Sequence, residues 1–139
     1  MHEKVFDVEI ITPERSVLKE KAVSVVVQGV EGSLGVLADH APMVVELAIG
    51  EVKIRHADGR ISMLAAGGGF MEVKDNRVRI LADTAERAEE IDIARAEAAL
   101  RRAESRLREK AVGLDRERAE AALKRALTRL KVARGRGEV

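Results

Sequence analysis

The chain has 139 residues, a formal net charge of +1, two Phe, and no Tyr, Trp or Cys. That length allows one ordinary domain, or a small domain with an appendage, and excludes a large enzyme core. The lack of Cys excludes disulfide scaffolds, thiol nucleophiles, iron–sulfur clusters and thiolate zinc sites, and three scattered His (His2, His40, His56) do not make an imidazole metal site.

No apolar run approaches the roughly 20 residues of a membrane span, and Met1-His2-Glu3-Lys4 lacks the apolar stretch of a signal peptide. A cytosolic chain with no direct membrane insertion is therefore expected. Scarce aromatics also argue against stacking on single-stranded nucleic acid, so no nucleic-acid partner is expected. The small net charge hides a split. Residues 1–85 carry a net −3, and residues 86–139 carry +4. Both Pro and most Gly fall in the first part, whereas the second is basic and Ala-rich. Two structural units, 1–85 and 86–139, are expected.

The first part reads as strands. Phe6, Val8 and Ile10 alternate with Asp7 and Glu9, the two-residue period of a half-wet sheet. Thr12-Pro13-Glu14 breaks the run. Val23 to Val27 is almost entirely β-branched and fits a buried strand. Val52 and Ile54 alternate with charged neighbours, as do Ile61 and Met63 with Arg60 and Ser62. Ala57-Asp58-Gly59 between them is a hairpin turn, since Asp-Gly tolerates positive φ. His56 is placed in that loop, facing solvent. Val78 and Ile80 repeat the alternation after the turn Lys74-Asp75-Asn76. Closely spaced short strands point to a β-sandwich or barrel.

After Leu81 the period changes to that of a helix. Asp92 suits an N-cap. Ala96, Ala99, Leu100, Ala103 and Leu107 then form one apolar stripe. Gly113 ends it, Asp115 caps a restart, and Ala119, Ala122, Leu123, Ala126, Leu127, Leu130 and Ala133 form a second stripe. A connection of roughly six residues returns the chain antiparallel. The seam of this helical hairpin is mostly Ala, and each Ala buries little area, so the hairpin is expected to be weakly held.

Gly67-Gly68-Gly69 is followed by neither Lys-Ser/Thr nor a helix, so it reads as close backbone packing in a sheet rather than a phosphate loop. Asp39-His40 has no nucleophile or second base beside it in sequence. No catalytic or metal-binding set is read.

Four segments together resemble the epsilon subunit of the bacterial F-type ATP synthase. They are Val8-x-Ile10-Ile11-Thr12-Pro13-Glu14-Arg15, the run Glu31-Gly32-Ser33-Leu34-Gly35-Val36-Leu37-Ala38-Asp39-His40-Ala41-Pro42, Gly67 to Val73, and Leu81 to Asp92. The resemblance implies a two-sheet antiparallel β-sandwich followed by an antiparallel two-helix hairpin. It implies a non-catalytic rotor subunit of the central stalk, in a proton-translocating ATP synthase at the cytoplasmic face of the bacterial cell membrane. The implied partners are the gamma subunit, the c-subunit ring and, with the hairpin extended, the alpha and beta subunits. Glu31, Gly32, Ser33, Leu34, His40, Ala41 and Pro42 are the implied c-ring contacts, expected in loops.

The family's hairpin can lie on the sandwich or extend into the catalytic head and block hydrolysis. Arg116, Arg118, Lys124, Arg125, Arg129 and Lys131 are the basic candidates for inhibitory contacts with acidic partner segments. Equally, an Arg- and Glu-rich helix face can simply be solvated. Ile91-Asp92-Ile93-Ala94-Arg95-Ala96 is similar to the Ile/Leu-Asp-x-x-Arg-Ala motif through which some epsilon subunits bind ATP. Glu86, Ile91, Asp92, Arg95, Ala96, Arg102, Arg125 and Arg129 are the implied nucleotide site. Arg95 and Arg102 share a face of the first helix, and Arg125 and Arg129 share one on the second. Folding the hairpin is expected to bring the two Arg pairs together, and a triphosphate would relieve their repulsion. Asp92 as a plain N-cap, with Arg95 in a local ion pair, is the competing structural explanation. No obligatory cofactor is expected; ATP is a regulatory ligand. The alternative function is a stand-alone nucleotide-sensing binding module.

Overall fold

The computed structural model describes residues 3–109 and 112–135. Eight strands come first: β1 Phe6–Ile11, β2 Ser16–Ala22, β3 Ser24–Gly29, β4 Gly32–Leu37, β5 Met43–Arg55, β6 Ile61–Lys74, β7 Arg77–Ala82 and β8 Ala85–Arg87. A single 3-10 turn, Ala88–Glu90, leads to helices α1 Ile93–Arg108 and α2 Gly113–Arg134. The hydrogen-bonded order is β2-β1-β7-β6-β5-β3-β4, with β8 also on β6. This is the expected β-sandwich followed by two helices. One pair departs from the antiparallel expectation: β1 and β7 run parallel, from Asp7↔Arg77 to Ile11↔Leu81.

The two long strands join the layers. The first part of β6 pairs with β8 (Leu64↔Arg87 to Ala66↔Ala85), and its last part pairs with β7 (Gly69↔Ala82 to Lys74↔Arg77). Between these parts lies Gly67-Gly68-Gly69. Gly68 and Gly69 have φ of +99° and +131°, conformations that side chains oppose. A Cβ on Gly69 would collide with the Leu81 carbonyl, and one on Gly67 with the Thr84 hydroxyl. Close backbone packing is indeed what these glycines provide.

The core follows the period-two pattern. Phe6, Val8 and Ile10 of β1, Val25 and Val27 of β3, Val52 and Ile54 of β5, Met71 and Val73 of β6, and Val78 and Ile80 of β7 are all buried. The turn after Arg55 forms as expected: His56 N–H donates to Arg60 O and Gly59 N–H to His56 O, with Gly59 at φ +89°. His56 itself does not face solvent. It is 3% exposed, with Nδ1 2.9 Å from Lys21 O and Nε2 2.9 Å from Ser62 Oγ. Alternation places it on the inward face of Val52 and Ile54, so strand geometry overrides its place in the loop.

The helices form a layered extension. Asp92 caps α1 as expected, its carboxylate accepting from Arg95 N–H at 3.0 Å. Asp115 does not cap α2. The N-cap position is Val112, and Gly113, expected to separate the helices, is the first residue of α2 with φ +60°. Asp115 lies within the first turn, where its charge still favours the helix N-terminus. Helix α1 packs on α2, and α2 lies against β5, β6 and the 3-10 turn. Ala96, Ala103, Ala119 and Ala126 are buried, so the seam is made of Ala. The other side of α2 buries Val132, which joins Ala65, Ala88 and Ile91 in a second small apolar cluster. Lys131 Nζ reaches Glu51 at 3.2 Å beside it.

Candidate functional site

Glu86 lies on β8, which places it at the margin of the sheet and beside α2. The backbone that follows is pinned on both sides. Arg87 donates Nε and a terminal nitrogen to Val17 O at 3.2 and 3.1 Å, and its N–H donates to Glu90 Oε1 at 3.1 Å. Ile91 is held in the apolar cluster under Val132, and Asp92 then starts α1. Arg129 comes up from α2, and its Nε donates to Glu86 Oε1 at 2.6 Å.

Glu86, Glu90, Ile91, Asp92, Arg95, Ala96 and Arg129 line a cavity of about 240 Å³. It therefore takes walls from the last strand, the 3-10 turn, α1 and α2. Six of the eight residues expected for a nucleotide meet in this one cavity. Arg125 lines a cleft of about 10 Å³ next door, with Ala65, Ala66, Gly67, Thr84, Thr128 and Arg129. Exposed Arg102 lines neither space, so the two Arg pairs are not gathered as pairs. Arg95 and Arg129 share the cavity, and Arg125 stands beside Arg129. Arg102 lies on α1 two turns beyond Arg95, and among the described residues it forms no ion pair.

The charges are partly committed. Glu86 is tied to Arg129, Glu90 to Arg15, and Asp92 to the α1 N-terminus. Among the described residues, Arg95, Arg102 and Arg125 form no ion pair, so of the competing structural explanation the Asp92 cap is present and the Asp92–Arg95 ion pair is not. An arginine without a carboxylate partner at a cavity wall is a ready donor to an anion. Glu90 and Arg15 were absent from the sequence reading of this site.

The basic candidates of α2 divide. Arg116 pairs with Glu120 at 3.1 Å along the helix, Arg129 with Glu86, and Lys131 with Glu51. Arg118, Lys124 and Arg125 form no ion pair among the described residues. At the far end of the sandwich, Glu31 sits in the tight turn between β3 and β4. Gly32, Ser33 and Leu34 are part of β4 rather than of a loop, paired as Gly29↔Gly32, Gln28↔Ser33 and Val27↔Leu34. His40, Ala41 and Pro42 form the β4–β5 connection. A groove of about 510 Å³, larger than the helix-junction cavity, runs between Gly29–Leu34 and Met43–Glu46, with Val30 and Val44 exposed along it. Glu31 and Glu46 are the charged residues of its lining. Among the described residues no group of His, Asp and Glu is arranged to hold a metal ion, and no helix is long and apolar enough to cross a membrane.

Comparison with known proteins decides the family. Residues 5–88 match the ATP synthase delta/epsilon chain beta-sandwich domain, and residues 89–134 match the long alpha-helix domain of the same chain. The chain belongs to the ATP synthase delta/epsilon family. Within it, the chain resembles bacterial epsilon chains. The ATP synthase epsilon chain of Pelotomaculum thermopropionicum is 54% identical over 110 residues, covering 79% of this chain and 81% of that one. That of Moorella thermoacetica is 53% identical over 107 residues, covering 77% and 80%. Among solved structures, a chain of the Euglena gracilis mitochondrial ATP synthase, OSCP/F1/c-ring in rotational state 1, superposes with a TM-score of 0.77 at 27% identity. That superposition covers 91% of this chain and 79% of the other. A chain from the Tetrahymena thermophila mitochondrial central stalk and c-ring gives 0.53 at 20% identity, over 65% and 72%, which supports the fold alone.

Proposed function

We propose that this epsilon-family chain is a non-catalytic rotor subunit of a proton-translocating F-type ATP synthase. It sits in the central stalk at the cytoplasmic face of the bacterial cell membrane and joins the catalytic head to the c-ring. Its sandwich is the anchor, contacting the gamma subunit and the c-ring. The groove beside Val30, Glu31 and Val44 suits contact with exposed loops of the ring, together with Gly32, Ser33, Leu34, His40, Ala41 and Pro42. Its hairpin is the brake, which inhibits hydrolysis when it leaves the sandwich for the alpha and beta subunits.

ATP is the ligand that keeps the hairpin folded. One observation carries this reading: a single cavity takes walls from β8, α1 and α2 together. A ligand there binds the folded hairpin and loses its site when α2 departs, so it shifts the population toward the folded form by an amount set by its concentration over Kd. At about 240 Å³ the cavity is smaller than the roughly 300–1,000 Å³ of common ligand pockets, so part of a nucleotide lies inside and the rest along the helix surface. Arg95 and Arg125 supply cations for that outer part, and Arg102 is reached by the phosphates only if they run along α1. Undocking also explains how the basic candidates become available: Arg129 and Lys131 must first release Glu86 and Glu51.

Reconstitution tests the brake. Full-length chain added to alpha, beta and gamma subunits should assemble with them and slow ATP hydrolysis, and a chain ending at Asp92 should assemble without slowing it. Equal hydrolysis with both chains contradicts the brake, and failure of either to assemble contradicts the rotor assignment.

A further inference from the structure

The cavity has a second acidic wall that must be kept quiet for an anion to enter. Glu90 lines it, directly after the backbone that carries Glu86. Its carboxylate is held from outside by Arg15, 75 positions earlier, which donates a terminal guanidinium nitrogen to Oε1 at 3.3 Å and Oε2 at 3.1 Å. Arg15 itself is fixed by the turn that reverses β1 into β2. Its N–H donates to Thr12 Oγ1 at 3.3 Å, its carbonyl accepts from Thr12 N–H at 2.9 Å, and Thr12 is buried. The turn that breaks the first strand therefore presents one cation to the helix junction.

We infer that Arg15 is a positioning residue of the proposed anion site, holding Glu90 away from the cavity's arginines and cancelling its charge. The inference rests on the nucleotide reading above. The three carboxylates at the cavity then each have a partner: Arg129 for Glu86, the α1 N-terminus for Asp92 and Arg15 for Glu90. Arg95 is left to the ligand. Without Arg15, the Glu90 carboxylate keeps only the neutral Arg87 N–H on Oε1 and stands at the cavity wall with its charge unpaired. It then either repels the ligand's phosphates or takes Arg95 or Arg129 for itself. Both outcomes weaken an anion, and both need Glu90 to be charged. Side chains of Arg15 and Glu90 are 49% and 37% exposed, so the field is screened and the effect is moderate.

Calorimetric titration of the full chain with ATP tests this. Arg15→Gln should weaken ATP about three- to tenfold at low salt. Glu90→Gln added to Arg15→Gln should restore most of the affinity, and Arg15→Lys should retain part of it. The ratio between parent and Arg15→Gln affinities should shrink toward one at high NaCl, which a change in shape would not do. Unchanged affinity in Arg15→Gln, or a loss that Glu90→Gln does not repair, overturns the role of Arg15 while leaving the nucleotide site standing. No heat from the parent chain overturns the nucleotide reading itself, and the role of Arg15 with it.

Discussion

Arg129 of α2 donates its Nε to the Glu86 carboxylate of β8 at 2.6 Å, across 43 positions of sequence. Each side chain is a third exposed, so the pair is neither a buried ion pair nor a loose surface one. It joins α2 to the sheet, and both residues line the cavity. The same contact thus reports on docking of the hairpin and on access to the site.

Replacing Glu86 by Gln should weaken docking of α2 by about 1 kcal/mol or less, since the pair is part-solvated. Amide exchange within α2 should quicken while that of β1, β3 and β7 stays unchanged. Equal protection in α2 contradicts the role given to this contact.

Val132 is a stronger test of docking. It is 1% exposed and packs with Ala65, Ala88 and Ile91. Val132→Ala should cost about 1–2 kcal/mol in α2 protection, and Val132→Asp should free the hairpin altogether. Limited proteolysis should then cut within α2 and leave the sandwich intact. Cleavage throughout the chain would show that the sandwich depends on its helices.

Gly69 bears on the sandwich instead. Its φ of +131° and the Leu81 carbonyl beside it leave no room for a Cβ, and that obstacle is backbone. Gly69→Ala should lower stability by about 2 kcal/mol or more, read as a drop in the denaturation midpoint. Gly59→Ala meets open space and should cost less, although its φ of +89° still opposes a side chain.

Much of the fold was legible because half-buried strands declare themselves. β7 alternates between buried and exposed positions, and β1 between buried and half-buried or exposed ones. The Asp-Gly turn and the Asp92 cap are local chemistry, readable from neighbours in sequence. Elements with two covered sides were not. In β6, Leu64, Ala65 and Ala66 are buried in succession, because Ala65 faces Val132 of α2 while its neighbours face the core. Val132 was missed for the same reason: a helix covered by α1 on one side and the sheet on another shows no single stripe. A register shift between Ile10 and Ile11 interrupts the pairing with β2, whose adjacent apolar Val17 and Leu18 hide its strand character. Within the site, Ile91 to Ala96 were close enough in sequence to be read as a motif, and Glu86, Arg125 and Arg129 were read from the family resemblance. Arg15 was not, because only the folded turn brings it to Glu90.

Acid sensitivity should arise on the sandwich surface. The Asp58 carboxyl is lowered first by the backbone N–H of Arg60 and then by its guanidinium. Glu3 is lowered mainly by hydrogen bonding to Arg55, and Asp7 by Lys21. A lowered folded-state value means stability that is fully present above the unfolded carboxylate range near pH 4 and is lost as pH falls through the folded value. These groups should leave stability level from about pH 5 to 8 and produce a decline below pH 4. Asp58→Asn should flatten that decline slightly, as measured by denaturant midpoints across the acid range.

In the proposed function, ATP binding and docking of the hairpin are one equilibrium. Hydrogen exchange of the full chain, with and without millimolar ATP, tests it most directly. ATP should slow exchange in the 3-10 turn, the start of α1 and the Arg125–Val132 stretch of α2, and leave the core of β1, β3 and β7 unchanged. Identical exchange in α2 with and without saturating ATP would show that ATP binding and hairpin docking are not coupled.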